Sequence, residues 1–574
     1  MAEFNLIDDS WIPCIDSHGL SAEYGIRDTL LKAHALREIC DESPLVTAAL
    51  HRLLLAILYR ACEGPSVMEE WRSLYERGHF APGGGIDRYL TEWHGRFYLF
   101  DQEHPFMQVA GLDLNVDKGR GKARKDKSDG LMRLIREAPD KGGRILFDHR
   151  VGTERPEYEP RQISKMILSA QSYSGTGVAS ASKIGDTRIK PTNCQFAPCV
   201  EGFVLWLQGE SLFQTLLLNL VPHPFIAADK PAWEDDSIVD TAIRSWKEPK
   251  TFEGPVQRFA PLSRFIRIID LKSMFFTNGL KTKTDFGDPM KTYVQADEKS
   301  GYKAVKLRKD RAAWRDAHTL FSLGSTVRKP PAGLNHAAQL VRNGTIPKAA
   351  QPRANLVGLA MKQDKALLWR HERLPVPLGM LASDHLTERL EKRINEAESI
   401  GEQLSGGLFW NPSTRKTVRK EPVGRIQAIV DLVLSPLLEL RSPGVLRTSD
   451  GRAPEAAHNK AALDLASSLD PRPAYWARLE KHFFTLLQNL PNDWDTAASD
   501  WKPDDQQEAT RTWRKHVLSE AERALKESIR SLGTTARAIQ SFARVRVGFN
   551  EYDLMSQSQK VAKARRESKG GKRK

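Results

Sequence analysis

Leu6-Ile-Asp-Asp-Ser-Trp-Ile-Pro13 and His104-Pro-Phe-Met-Gln108 are the two most informative stretches of this chain. The second comes shortly after Phe97-Tyr-Leu-Phe100, a run of aromatic and apolar residues that predicts a strand over 96–100. Neither stretch sets a nucleophile beside a base or has the spacing of metal ligands, so neither is expected to carry out chemistry. Taken alone, each is typical of a core strand and a turn that ends in proline.

The overall composition predicts a protein that binds a polyanion. The chain has 574 residues, which is too long for one core and predicts roughly two to four domains. Its formal net charge is +14 and its pI is near 9.4. These values favour nucleic acid over a membrane as the partner. No apolar run reaches the roughly 18 residues that span a bilayer, and the order of a signal peptide is missing. We therefore expect a cytoplasmic protein.

The cysteines are typical of a reducing compartment, because the five of them are scattered and odd in number. Cys194 and Cys199 are separated by four residues, and no second pair lies within range. A zinc site needs a fuller set of ligands than this pair supplies. We predict neither a metal nor a cofactor.

The first part of the chain, residues 1–372, is predicted to be a large irregular domain of mixed strands and helices. Ser43-Pro44 is typical of a helix start, and an apolar helix is expected over 45–62. A strand over 201–208 is followed by a buried helix over 212–221. No regular alternation of strand, helix and strand is present, so a doubly wound parallel sheet is not expected.

The remainder is predicted to be a C-terminal helical bundle of the four-helix type, covering residues 373–555. Amphipathic helices are expected over 383–404, 475–489 and 505–532, together with a more uniformly apolar helix over 426–440. The basic, polar tail over 556–574 is expected to be disordered. The fold class is therefore predicted to be α+β.

No enzyme motif is present in the sequence. Phosphate-binding and dinucleotide glycine patterns, His-Glu-x-x-His and Gly-x-Ser-x-Gly are all missing, so the chain is not expected to be an enzyme. The acidic triplet over 234–236 is interpreted as solvated surface rather than a metal site. One basic run is interpreted as a surface loop that is either simply solvated or in contact with phosphates. Its cationic residues are Lys118, Arg120, Lys122, Arg124, Lys125 and Lys127.

The two N-terminal stretches, in this order and at this separation, resemble the opening of the large subunit of Cascade, the type I-E CRISPR surveillance complex (the CasA family). Further similarity lies in Phe203–Val221, Gly358–Arg373 and Glu480-Lys-His-Phe-Phe484. The resemblance implies a non-catalytic subunit that recognises the protospacer-adjacent motif in double-stranded DNA, largely from the minor groove. It further implies that this subunit starts strand separation and helps recruit a helicase-nuclease. The implied partners are other Cascade subunits, the CRISPR guide RNA, double-stranded target DNA and that helicase-nuclease.

The same resemblance implies where the chain contacts nucleic acid. A glycine loop corresponds to Ser174, Gly175, Thr176 and Gly177, and a lysine finger corresponds to Lys281 or Lys283. A glutamine wedge corresponds to Lys362, Gln363, Asp364 and Lys365, with Gln363 preferred and Asp364 the alternative at its tip. A loop near the end of the guide RNA corresponds to Phe147, Asp148 and His149. The four-cysteine zinc site of some relatives is missing from this sequence, so no metal is carried over.

Two other functions are compatible with a basic chain of this kind. One is a general RNA-binding scaffold of a ribonucleoprotein, which would bind RNA without depending on a short duplex motif. The other is a metal enzyme that acts on nucleic acid, which would need clustered carboxylates or His and Cys ligands at recognisable spacing.

Overall fold

The computed structural model describes most of the chain and divides it into two compact units, residues 1–384 and 385–574. For residues 362, 365, 408–411 and 416–419 it describes the backbone. The described residues are 3–62, 64–115, 127–137, 155–177, 182–189, 193, 195–200, 202–283, 287–295, 301–308, 311–323, 327–347, 350, 352–362, 365–378, 384–405, 408–411, 416–419, 468–495, 497–531, 533, 536, 539 and 554.

The N-terminal unit combines small antiparallel sheets with helices. Its strands are β1 (Ile12–Asp16), β2 (Ser21–Tyr24), β3 (Leu36–Ile39), β4 (Leu112–Asp113), β5 (Asp129–Gly130), β6 (Ser182–Ile184), β7 (Thr187–Ile189), β8 (Phe203–Gln208), β9 (Arg264–Ile268), β10 (Ser273–Asn278), β11 (Tyr293–Gln295), β12 (Tyr302–Ala304), β13 (Arg328–Lys329), β14 (Arg353–Lys362) and β15 (Lys365–Pro375). They form sheets in the orders β2-β1-β3, β4-β6-β7, β5-β10-β9, β12-β11-β13 and β15-β14-β8. The fold is therefore mixed α+β.

The helices of this unit surround one long apolar helix. They are α1 (Ile26–Leu31), α2 (Pro44–Ala61), α3 (Met68–Arg77), α4 (Gly85–Glu92), α5 (Pro160–Tyr173), α6 (Leu212–Asn219), α7 (Ile238–Ser245), α8 (Pro255–Phe259), α9 (Ala317–Leu320) and α10 (Ala332–Arg342). The start of α2 is confirmed, because the Ser43 side chain accepts a hydrogen bond from the amide of Val46. Helix α2 packs against α4, α5, α6 and α8, so it forms the centre of the core.

Helix α2 is also long and apolar enough to meet the requirements of a membrane span, which the sequence analysis did not expect. The stretch still qualifies although it contains Thr47, His51 and two arginines, Arg52 and Arg60. In the structure 83% of it is buried inside the unit. Its apolar surface is thus covered by the neighbouring helices.

The first informative stretch forms part of the core. Leu6, Ile7, Trp11 and Ile12 are all fully buried. The indole Nε1 of Trp11 donates a hydrogen bond to the carbonyl of Leu6, at 2.8 Å. This bond closes the turn between them and satisfies the polar end of a buried tryptophan.

The strand predicted over 96–100 is wrong. The structure has a 3₁₀ turn at His94–Arg96, followed by a single antiparallel bridge between Tyr98 and Asn5. The bridge is held by bonds from Leu6 N to Phe97 O and from Leu99 N to Phe4 O. Phe97 and Leu99 are buried and Tyr98 and Phe100 are half-buried, but the chain turns too soon to form a longer ladder.

The second informative stretch packs along β9. The amide of Val109 donates to the carbonyl of Ile266 at 2.8 Å, and the Gln108 Oε1 accepts from the amide of Ile268 at 2.9 Å. Met107 adopts a left-handed conformation, with φ of 53°. A methionine in that region is uncommon, so the tertiary contacts must hold the turn in place.

A buried ion pair joins α2 to the segment before β11. The Arg52 guanidinium contacts both carboxylate oxygens of Asp288, at 3.1 Å and 2.9 Å. The Arg52 side chain is 1% exposed and the Asp288 side chain 9%. Burial alone would raise the pKa of Asp288, but the charge and hydrogen bonds of Arg52 hold it below its usual value.

The described part of the C-terminal unit is mainly helical. Its helices are α11 (Asp384–Ser405), which begins at the division between the units, α12 (Arg472–Asn489) and α13 (Glu508–Arg530). Its short hairpins are formed by β16 (Leu408–Asn411) with β17 (Lys416–Arg419), and by β18 (Trp494–Asp495) with β19 (Asp500–Trp501).

Two buried hydrogen bonds join the three helices of this unit. The Tyr475 hydroxyl donates to Ala397 O, and the Trp513 Nε1 donates to Arg393 O, both at 3.0 Å. Helices α12 and α13 therefore both pack against α11. The helix expected over 426–440 and the tail over 556–574 lie outside the described residues.

The division between the units lies between Asp384 and His385. The boundary predicted between residues 372 and 373 falls inside β15. Pairing between β14 and β15 continues to the pair Arg353–Pro375, so residues 373–375 belong to the sheet of the first unit.

The buried ion pair makes a prediction about stability. Asp288→Asn should lower the free energy of unfolding by about 3–5 kcal/mol at pH 7, because it leaves the Arg52 charge buried and unpaired. The folded-state pKa of Asp288 is depressed, so the contribution of the pair is present above the unfolded pKa, near 3.9. It is lost as the pH falls through the folded pKa. Urea unfolding between pH 3 and pH 8 measures this effect.

Asp236→Asn is the matched control for this measurement. Asp236 pairs with Arg96, but its side chain is 77% exposed. The control should therefore change stability by no more than about 1 kcal/mol. If the two variants lose the same free energy of unfolding, the Arg52–Asp288 pair stabilises the fold no more than an exposed ion pair does.

Candidate nucleic-acid interface

The glycine loop begins where α5 ends. The Ser174 side chain is buried, and its Oγ donates a hydrogen bond to the carbonyl of Ala170 at 2.6 Å. Exposure then increases along the loop, with Thr176 half-buried and Gly177 exposed. A Cβ added at Gly177 would meet no described atom within 4 Å. The loop is therefore anchored at its start and open at its end, where a ligand has room to approach the backbone.

A buried arginine donates hydrogen bonds to the main chain of this loop. Arg264, the first residue of β9, is 2% exposed. Its Nη2 donates to the carbonyls of Ser174, Gly175 and Gln195, at 3.2, 2.6 and 2.5 Å. We call this set of contacts the Arg264 clamp. The carbonyl dipoles stabilise the buried charge, and the charge in turn fixes the path of the loop.

The backbone of Arg264 is bound by Gln171, on the last turn of α5. The Gln171 Oε1 accepts from the amide of Arg264 at 2.8 Å, and its Nε2 donates to the carbonyl of Arg264 at 2.9 Å. The same Nε2 donates to the carbonyl of Met107, at 3.0 Å. The stretch over 104–108 is thus connected to the Arg264 clamp through a single amide side chain.

Gln195 connects the Arg264 clamp to the predicted lysine finger. Its carbonyl accepts from Arg264, and its side-chain Oε1 accepts from the amide of Thr282 at 2.9 Å. Its Nε2 donates to the carbonyl of Thr282, at 3.0 Å. The structure therefore brings the glycine loop and the segment 281–283 into one network, although they are far apart in the sequence.

The segment 281–283 is also held on its other side. The amide of Lys250 donates to the carbonyl of Lys281 at 3.0 Å, and the amide of Lys283 donates to the carbonyl of Lys250 at 2.9 Å. The Ser245 Oγ accepts from the amide of Lys281, at 2.8 Å. With the backbone fixed in this way, Lys281 is half-buried and Lys283 is exposed. Lys283 is therefore better placed to reach a phosphate.

The predicted wedge lies at the end of a long hairpin. Strands β14 and β15 pair from Arg353–Pro375 to Lys362–Lys365, and β8 pairs with β14 only as far as Gly358. Residues 359–362 of the hairpin therefore extend beyond the third strand. Gln363 and Asp364 lie outside the described residues.

Several other predicted contact residues also fall outside the described part of the chain. They are Phe147, Asp148 and His149 of the guide-RNA loop, and Lys118, Arg120, Lys122, Arg124 and Lys125 of the basic run. Lys127 is described and half-buried, and its amide donates to the Oδ1 of Asn115 at 2.9 Å.

The sequence analysis expected the acidic triplet to be solvated surface, but in the structure one of its residues is buried. Glu234 is 6% exposed, and both of its carboxylate oxygens accept from the Nε of Arg60 at 3.0 Å. The Tyr89 hydroxyl donates to the same carboxylate, at 2.5 Å. Arg60 comes from α2, 174 residues away along the chain. Glu234 is therefore part of the core.

Metal binding has no support among the described residues, in which no group of three or more His, Cys, Asp or Glu side chains could hold an ion. Cys199 is fully buried, and burial raises the pKa of its thiol, whereas zinc binds the thiolate. Its neighbour in the motif, Cys194, lies outside the described residues.

The chain matches the family model of "CRISPR-associated protein Cse1" over residues 5–524. It belongs to the Cse1 family. It is 28% identical over 551 residues to the CRISPR-associated protein CasA/Cse1 of Thermus thermophilus, covering 95% of this chain and 96% of that protein. The family resemblance inferred from the sequence is therefore confirmed.

Solved structures share the fold. The crystal structure of Thermus thermophilus CasA is 25% identical, with a TM-score of 0.72, and the match covers 96% of this chain and 98% of that one. A chain from a CRISPR RNA-guided surveillance complex is 16% identical, with a TM-score of 0.64, and the match covers 95% of this chain and 99% of that one. At 16% identity, the second match is evidence for a shared fold only.

Sequence reasoning missed the residues that assemble the site of this Cse1-family chain. Arg264, Gln171 and Gln195 make no recognisable motif. One signal was available, since Arg264 opens the strand Arg264-Phe-Ile-Arg-Ile268 beside three large apolar residues, where a charged residue needs a buried partner. The carbonyls that it would bind could not be deduced from the sequence.

The bridging role of Gln195 can be tested without nucleic acid. Gln195→Ala removes both hydrogen bonds to Thr282, each contributing about 1 kcal/mol, so exchange of the Thr282 amide should accelerate about thirtyfold. Hydrogen exchange with mass spectrometry measures this. Gln102→Ala, at an exposed glutamine elsewhere in the unit, should leave the segment unchanged. If Gln195→Ala also leaves it unchanged, Gln195 does not hold segment 281–283.

Proposed function

We propose that this Cse1-family chain is the non-catalytic large subunit of a type I-E CRISPR RNA-guided complex. In this proposal it recognises the protospacer-adjacent motif in double-stranded DNA, starts strand separation and helps recruit a helicase-nuclease in the cytoplasm. One observation carries the proposal: the Arg264 clamp and Gln195 hold the glycine loop and the segment 281–283 as one surface. A duplex can contact both elements at once only if they are fixed together.

The two elements supply different kinds of contact. An exposed Lys283 can neutralise a backbone phosphate, which gives affinity that decreases with salt. The open backbone at Gly177 can approach the groove edge of a base pair closely. Minor-groove readout distinguishes few base pairs, so several related motifs should be tolerated.

Strand separation is assigned to the hairpin β14–β15. Its inner strand β14 is paired on both sides up to Gly358, which makes the base of the hairpin stiff. Beyond Gly358 the two strands continue without β8 as far as the pair Lys362–Lys365, and the proposed wedge residues Gln363 and Asp364 follow Lys362 in the sequence. An amide at that end can hydrogen-bond base edges without the phosphate repulsion that a carboxylate would suffer. Pairing with the guide RNA then supplies sequence specificity.

The remaining contacts are assigned to other parts of the chain. Phe147, Asp148 and His149 would contact the end of the guide RNA, and the basic run over 118–127 would contact phosphates. The helices that follow the predicted boundary at residue 373 would contact protein neighbours, as long amphipathic helices commonly do. Membership of the Cse1 family supports these assignments, and so does the shared fold of a chain from an RNA-guided surveillance complex.

The two rival functions give different results in the same assay. A general RNA-binding scaffold would bind guide RNA equally well whichever motif the duplex carries. A metal enzyme would cleave DNA in the presence of divalent cations, and a point mutation would abolish the cleavage. Binding that depends on the motif, without turnover by the purified chain, supports the proposal.

Lys283→Ala should weaken duplex binding by the assembled complex. If the side chain neutralises one phosphate, the slope of log K against log salt should fall by about one. Lys281→Ala should have a smaller effect because that lysine is half-buried. Filter binding over a range of salt concentrations measures the slopes, with Lys32→Ala as the control at an exposed helix position. If the slope is unchanged for both Lys281→Ala and Lys283→Ala, neither lysine contacts a phosphate.

Gln363→Ala should weaken opening of the target duplex while leaving assembly of the complex intact. Loss of one or two hydrogen bonds, each worth about 1 kcal/mol, corresponds to about a tenfold loss of affinity. A target with a pre-opened bubble should restore the affinity, since the bases are already unpaired. Equal losses on duplex and bubble would exclude Gln363 as the wedge and direct the test to Asp364.

A further inference from the structure

Two large apolar side chains are exposed beside the end of the hairpin. Leu367 is 65% exposed and Trp369 is 44% exposed. They lie two and four residues after Lys365, the first residue of β15. A tryptophan has a large apolar ring that is normally mostly buried, so its exposure next to a proposed DNA-opening element needs an explanation.

A bulge in β15 accompanies this exposure. Met361 pairs with Ala366, but Ala360 pairs with Leu368, so Leu367 has no partner residue across the ladder. A bulge bends the strand and re-aims the side chains around it, and bulges are frequent beside functional sites. The exposure of Leu367 and Trp369 therefore follows from the path of the hairpin backbone at the bulge.

The indole of Trp369 is partly exposed. It has no aromatic, cationic or hydrogen-bonding partner among the described residues, whereas Trp206 in the same sheet stacks between His51 and His371. Trp369 pairs with Leu359, which is fully buried, so the two side chains lie on the same face of the sheet and Leu359 adjoins the indole on the side of β14. Strand β15 is an edge strand of this sheet, which leaves the outer side of Trp369 open.

The surrounding charges favour nucleic acid as the occupant. Lys362 and Lys365 stand on either side of the tip in the sequence, and Arg373 follows Trp369 along the same face of β15, where its side chain is 46% exposed and lies 3.5 Å from Glu38. The acidic residue between them, Glu372, is turned towards the protein, where it accepts from the amide of Ala313 at 2.7 Å. Proteins bind unpaired bases with exposed aromatic rings in basic stretches of the chain.

We infer that Leu367 and Trp369 form a stacking platform for unpaired bases of the target DNA. This inference rests on the proposed function, because the bases become available only after the wedge has opened the duplex. The wedge begins the separation, and the platform then retains a flipped-out base on the indole face. A platform of this kind reads no sequence, since every base has an aromatic face.

The test uses the assembled complex and bubble targets, which need no opening. Trp369→Ala should weaken binding to a bubble with intact bases about tenfold, which corresponds to a stacking contribution within the usual range. Trp369→Phe, which keeps an aromatic face, should restore most of the affinity. A bubble with abasic sites at the unpaired positions should bind the wild type and Trp369→Ala equally well. Quenching of 2-aminopurine in the bubble should decrease in Trp369→Ala.

Phe225→Ala is the matched control, because Phe225 is 45% exposed but belongs to a different part of the unit. It should change neither affinity nor quenching. Equal losses by Trp369→Ala on intact and abasic bubbles would overturn the inference. So would a defect in complex assembly with normal DNA binding, which would identify a protein neighbour as the occupant. Failure of the proposed function gives a different result: the wild type would not discriminate between duplexes with good and poor motifs.

Discussion

The guanidinium of Arg264 is almost fully buried and donates to main-chain carbonyls at residues 174, 175 and 195. A charge in this position is stable only while those carbonyls point at it, so the positions of three chain segments depend on one side chain. Gln195 in turn fixes the position of Thr282, because its side chain accepts a hydrogen bond from the Thr282 amide. Most of the proposed recognition surface is thus organised by main-chain hydrogen bonds, which leaves its exposed side chains free for DNA.

The interface combines two mechanical elements with different tasks. The Arg264 clamp fixes a surface that can test a duplex without deforming, and the hairpin β14–β15 extends from a sheet whose inner strand is paired on both sides up to Gly358. A rigid reader and a projecting hairpin need no nucleophile, metal or cofactor. In the proposed function they hold and separate strands, and the opposing cost is the unstacking of base pairs.

Local features of the fold could be predicted from the sequence, and contacts distant in sequence could not. Ser43-Pro44 predicted the start of α2 because a helix cap depends on adjacent residues. The strand over 96–100 was wrong because its only partner is a single bridge to Asn5. Glu234 was taken for surface because its partner Arg60 is 174 residues away. The family resemblance predicted contacts at 174–177 and 281–283 separately, but the connection between these segments depends on Arg264 and Gln195, which no local pattern reveals.

The most direct test is hydrogen exchange of the assembled complex with and without target duplex, followed at amides 174–177 and 281–283. If the two segments form one reading surface, a duplex with a good motif should slow exchange in both, to a similar extent and at the same DNA concentration. A duplex with a poor motif should protect neither at that concentration. Protection of only one segment, or equal protection by both duplexes, would contradict the account.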